Sequence, residues 1–133
     1  MEVEIGIKSV LIAEVDGSNT AKNIQSGDLP VFATPSMIAL AEKAACECIK
    51  PYLDSENTTV GTLINMRHVS ATPIGMSVRC ECVLSETDGK RLVFAISVYD
   101  KCGLIGEGTH ERAVVNIKKF MAKTSEKREK ISV

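Results

Sequence analysis

The sequence predicts an α+β fold in which a single helix lies against a curved antiparallel sheet of about five strands. Two observations carry this. One long segment, "VFATPSMIALAEKAACECIKPYL", has apolar residues at helical spacing, while the segments before and after it alternate like strands. The apolar face of that helix is built from small residues, Ala41, Ala44 and Ala45, which let a sheet curl close around it.

The elements follow in order. "EVEIGIKSVLIAEV", residues 2–15, mixes alternation with β-branched residues and reads as a first strand. "DGSNTAKNIQSGD" is dense in Gly, Ser, Asn and Asp and reads as a long loop. Met37, Leu40, Ala41, Ala44, Ala45, Cys48 and Ile49 then mark a helix from near Pro35 to near Lys50. Thr34 suits its N-cap, Pro35 its first position, and Pro51 its far end. Four strand candidates follow: "TTVGTLINMRHVSA", "MSVRCECVLSET", "RLVFAISVYD" and "LIGEGTHERAVVNI". Turn residues at 72–75, 87–90 and 100–103 join them as a meander. "RLVFAISV" is nearly all apolar, as expected of a strand covered on both faces. Residues 1–120 thus form one domain, and 121–133 a polar, basic tail read as a frayed turn or a mobile end.

Composition narrows the function. Across 133 residues the hydrophobic content is 44% and the charged content 25%, with a formal net charge of −1, the profile of a soluble globular domain. That charge supplies no general field for nucleic acid or an anionic membrane. The apolar runs fall short of the roughly 20 residues of a membrane span, and the N-terminus lacks a signal-peptide pattern. A cytoplasmic protein is expected. Its five cysteines, Cys46, Cys48, Cys80, Cys82 and Cys102, then read as reduced thiols. The two C-x-C pairs invite a metal, but positions two apart on a helix do not face each other, so buried small hydrophobes is the expectation.

Three residues stand out as chemistry. Thr34 opens the helix, Glu42 lies beside Ala41 and Ala45 in its least polar part, and His68 sits in an alternating strand. Each has a structural alternative: a cap, a solvated helix carboxylate, a satisfied histidine.

Taken together, "VFATPSMIALAEKAACECIKPYL", "GTLINMRHVSATPIG" and "GEGTHERAVVNIKKF" resemble the fluoroacetyl-CoA thioesterase-like family of hot-dog proteins, over about Val31 to Phe120. The resemblance implies a hot-dog fold and a catalytic triad of Thr34, Glu42 and His68. It places Gly61 and Arg112 near the acyl group, Arg112 being equally readable as a structural ion pair. It also implies an acyl-CoA substrate and a homodimer, with a tetramer as the alternative, whose active sites form between the helix of one subunit and strands of the other; no cofactor or metal is expected. Thioester hydrolysis suits such groups, since it needs a nucleophile or activated water, a base, and donors aimed at the developing oxyanion.

One feature departs from the family. The fluoroacetyl-specific member carries two lid phenylalanines where this chain has Gln25 and Asp28. A polar, Gly-containing segment excludes water poorly, so a different and broader acyl group is expected. Lys118, Lys119 and Lys123 are candidate partners for the phosphates of coenzyme A, or simply a solvated run. The competing reading is a non-catalytic acyl-CoA or acyl-ligand binding module. Hydratase chemistry, a third, lacks its motif.

Overall fold

The computed structural model describes residues 2–131. Strand β1 spans Lys8–Glu14, a short helix α1 spans Ala21–Ile24, and the long helix α2 spans Thr34–Ile49, ending in a 3-10 turn over Lys50–Tyr52. Strands β2 (Asn57–His68), β3 (Ser77–Thr87), β4 (Arg91–Asp100) and β5 (Gly103–Asn116) follow, then helix α3 (Ile117–Ile131).

All five strands join one antiparallel sheet in the order β1-β3-β4-β5-β2. The expected meander of four strands is therefore one of three, β3 to β5. Strand β2 pairs with β5 instead of its successor β3, because α2 delivers the chain to the far edge and the 69–76 segment must cross back. The first strand is shorter than expected, since Gly6 turns the chain with φ of 102° just before it.

The core lies between α2 and the concave face. Met37, Ala41, Ala44, Ala45, Cys48 and Ile49 are buried on the helix, against Val78, Cys80, Cys82, Leu84, Leu92, Phe94, Ile96, Val98 and Ile105 from the strands. The alanines set the spacing: the sheet comes close enough for the Ser9 hydroxyl to donate to the Ala44 carbonyl at 2.6 Å. Close approach also governs the β2–β5 end. A Cβ at Gly106 would press on the Met37 thioether and lie 3.0 Å from the Arg67 carbonyl oxygen, and one at Gly108 would lie 2.6 Å from Met66 Cα.

β4 is only partly covered on its outer face: Leu92, Phe94, Ile96 and Val98 are buried on the inner face, while outside Val93 is buried but Ala95 is exposed. On the same outer face Val10 and Ile12 of β1 are exposed. The tail is helical as far as Ile131. The Asn116 side chain accepts from the Lys119 amide, and the segment's Lys, Glu, Arg, Met and Ala are strong helix formers. Ser132 and Val133 lie outside the described residues. Among the described residues no helix is long and apolar enough to cross a membrane.

Candidate functional site

Thr34 is the first residue of α2, not its cap. The N-cap is Ala33, which has no side-chain capping bond, so the Thr34 hydroxyl is left for another partner. That partner is His68: Thr34 Oγ1 lies 2.8 Å from His68 Nδ1.

Backbone bonds fix the approach. The Phe32 amide donates to the Thr72 carbonyl and the Ala33 amide to the Asn19 carbonyl, both at 2.9 Å, while Val31 bridges to Pro73. On the other side the Val69 amide donates to the Ile105 carbonyl at 2.7 Å. The helix entry and the end of β2 are thus held to a common frame. The Phe32 ring meets the imidazole edge-on, with centroids 6.4 Å apart.

His68 Nε2 is buried and has no hydrogen-bond partner. The imidazole lines a cleft of about 280 Å³ with Thr34, Phe32, Val31, Ser26 and Ser70 among its walls. Burial pushes the His68 pKa below its usual 6.5, with a Ser70 backbone contact opposing. The ring is therefore neutral at pH 7 and holds one nitrogen in reserve.

Glu42 belongs to a second cluster. Eight residues on from Thr34, it stands about 12 Å further along the helix axis. Its side chain is 44% exposed, and its Oε2 lies 3.7 Å from Nη1 of Arg112, which is almost fully buried. The other Arg112 groups are bound too: Nε donates to the Thr59 hydroxyl at 2.8 Å and Nη2 to the Thr59 carbonyl at 3.0 Å. Gly61 pairs with Arg112 across the ladder. A Cβ there would lie 3.1 Å from Glu42 Oε2 and 3.3 Å from both Arg112 Nη1 and His110 Cε1. Glycine is what lets this cluster close.

His110 was not singled out by the sequence, although it stands two before Arg112 on a strand and so shares its face. It is fully buried. Nδ1 lies 2.8 Å from the Leu63 carbonyl oxygen, to which it can only donate, so the neutral ring accepts from Arg112 Nη1 at Nε2, 3.1 Å away. Burial pushes its pKa down; the Leu63 carbonyl opposes, and the Arg112 charge adds to the lowering.

One chain thus brings together Thr34 with His68, and Glu42 with Gly61 and Arg112, but keeps these pairs apart. The ion pair expected as the alternative for Arg112 is real, and its carboxylate is Glu42. The cysteines are free: Cys48, Cys80 and Cys82 are buried, Cys46 half-buried, and Cys102 exposed on the β4–β5 turn. Burial raises the Cys80 pKa to about 11, which keeps that thiol inert at neutral pH. Gln25 and Asp28 are exposed and do not line the His68 cleft, to which the 18–30 segment lends Ala21 and Ser26.

A profile of the fluoroacetyl-CoA-specific thioesterase family matches residues 15–118. The fluoroacetyl-CoA thioesterase of Streptantibioticus cattleyicolor is 41% identical over 97 residues, 73% of this chain and 70% of that protein. A solved structure of the fluoroacetyl-CoA thioesterase FlK superposes with a TM-score of 0.90 at 32% identity, covering 96% of this chain and 98% of that one. A variant of the same enzyme, in complex with fluoroacetate and CoA, covers 89% of this chain and 99% of that one, with a TM-score of 0.84 at 32% identity. A thioesterase superfamily member of Thermus thermophilus also superposes at 0.90, with 27% identity over 97% of this chain and 96% of that one. With its curved sheet around α2 and its match over most of the length, the chain is a hot-dog protein and belongs to the fluoroacetyl-CoA-specific thioesterase family.

Proposed function

We propose that the protein is an acyl-CoA thioesterase that cleaves a small acyl thioester to the carboxylic acid and free coenzyme A. The observation that carries this reading is the Thr34–His68 hydrogen bond, which holds an imidazole with a buried, unpartnered Nε2 beside a cleft. A neutral imidazole with one nitrogen tethered and the other without a partner can serve as a general base. With the proton on Nδ1, Thr34 accepts it and Nε2 takes a proton from water. The water oxygen bonds to the thioester carbon, the carbon–sulfur bond breaks, and the proton passes from His68 to the departing thiolate. Glu42 either orients that water or first attacks the carbonyl carbon, expelling the thiolate and leaving an acyl–glutamate anhydride that the water then hydrolyses; Arg112 and the Gly61 backbone act on the acyl oxygen.

The site is complete only in a homodimer. Glu42 stands too far along α2 to reach His68 of its own chain, and β2 is a 12-residue edge strand, a length that proteins seldom leave unpaired. Antiparallel pairing of two β2 strands about a two-fold axis would set His68 of one subunit beside the Gly61 end of the other, and so beside its Glu42. The protein acts in the cytoplasm, free of membrane and nucleic acid.

Polar Ser26 and small Ala21 at the cleft, in place of an aromatic lid, favour an acyl group broader than fluoroacetyl. Thiol release from short, branched and aromatic acyl-CoAs tests the reading. Hydrolysis that falls by about 10²–10⁴-fold in His68→Ala and is lost in Glu42→Ala is expected. Tight acyl-CoA binding without turnover would establish the binding module instead.

A further inference from the structure

We infer that His110 is a positioning residue, holding Arg112 so that its free Nη1 proton faces Glu42. This rests on the reading of Glu42 as a catalytic group. A guanidinium has five N–H donors in one plane. Thr59 takes the Nε proton with its hydroxyl and a proton of Nη2 with its carbonyl. That fixes one edge of the plane, while the Nη1 group at the other end carries two protons. His110 Nε2 accepts one at 3.1 Å, and the Glu42 carboxylate lies 3.7 Å from the same nitrogen.

The histidine can do this because its own tautomer is fixed. The Leu63 carbonyl, 2.8 Å from Nδ1, holds the proton there and leaves Nε2 as a pure acceptor. Leu63 lies just beyond the irregularity that separates Gly61 from Leu63 in the β2–β5 register. The Phe94 ring packs against the other side, with centroids 6.4 Å apart. The charged groups facing His110 are Arg112 on its own strand and Glu42 on α2. An imidazolium here would present a donor to a donor. A lysine at 112 would lose the fork, and a residue at 110 without an acceptor would release Nη1.

Two measurements test the inference. The imidazole nitrogen NMR spectrum of the unmodified protein at pH 7 should show His110 neutral and protonated at Nδ1; an Nε2-protonated or charged ring overturns it without any turnover being needed. His110→Asn keeps a donor for Leu63 but loses the acceptor for Arg112, whereas a Gln side chain carries its carbonyl oxygen to about the place of Nε2. Expected for His110→Asn is a loss in kcat of about tenfold to a hundredfold with little change in KM, and for His110→Gln recovery of most of that loss. In an Arg112→Ala background His110→Asn should add less than about twofold. An equal loss with and without Arg112, or a Gln variant no better than the Asn variant, would assign His110 to packing alone. Absence of turnover in the unmodified enzyme would defeat the thioesterase reading, and the nitrogen spectrum would still decide the geometry.

Discussion

His68 uses one ring nitrogen for Thr34 and leaves the other unpartnered, and on the proposed reading of His68 as the base its lowered pKa would set how activity depends on pH. A base must be unprotonated to act, so the acid limb of kcat/KM is expected below pH 6.5. A limb centred at pH 7 or above would mean that another group titrates. Thr34 carries the clearest lesson about what a sequence shows. A threonine before a proline at a helix start reads as a cap, and capping would consume its hydroxyl. The structure moves the cap back to Ala33 and leaves the hydroxyl free. Nothing in the local sequence distinguishes these uses, because the difference lies in a histidine 34 positions away. Gly61 gives a second prediction. In Gly61→Ala the new methyl meets Glu42 Oε2 at 3.1 Å and Arg112 Nη1 at 3.3 Å, so these side chains must shift. A fall in kcat of about tenfold or more, with the fold kept by circular dichroism, is expected.

At the scale of elements, α2 is the part most plainly written in the sequence. Its 3.6-residue period and its alanine face foretold both the helix and the sheet wrapped around it. The order of strands was less legible, since alternation shows that a strand exists but not which neighbour it takes; β2 reads the same whether it pairs with β3 or with β5. The outer face shows the same limit, because the apolar run of β4 does not reveal that its second face is covered at Val93 but open at Ala95. Packing at the alanine face is tight enough to test. Ala45 is fully buried, so Ala45→Leu should destabilise the protein by about 1–3 kcal/mol, read as a lower midpoint in urea. Phe94→Ala, which empties the largest fully buried side chain, should cost about 3–5 kcal/mol.

For the whole molecule, two neutral histidines, His110 buried and His68 half-buried, couple the fold to pH. Both His68 and His110 have pKa values below 6.5 in the folded state, so the unfolded chain binds more protons as the pH drops past 6.5. Stability is then complete above about pH 6.5 and declines as the pH falls toward the folded values. The melting temperature should drop over that range, and less so in His110→Gln. A melting temperature that is level from pH 7 to pH 5 would contradict this.

The resemblance already implied sites shared between subunits, but not which residues each subunit would supply. Motif order gave Thr34, Glu42 and His68 as a set, and the structure adds that one chain pairs Thr34 with His68 and keeps Glu42 about 12 Å further along the helix. The most direct test is a heterodimer purified by two different tags, with Glu42→Ala in one subunit and His68→Ala in the other. One of its two sites would combine an intact Thr34–His68 pair with an intact Glu42, so the dimer should recover about half the activity of the unmodified enzyme. A heterodimer as inactive as either parent would show that each site is contained within a single chain.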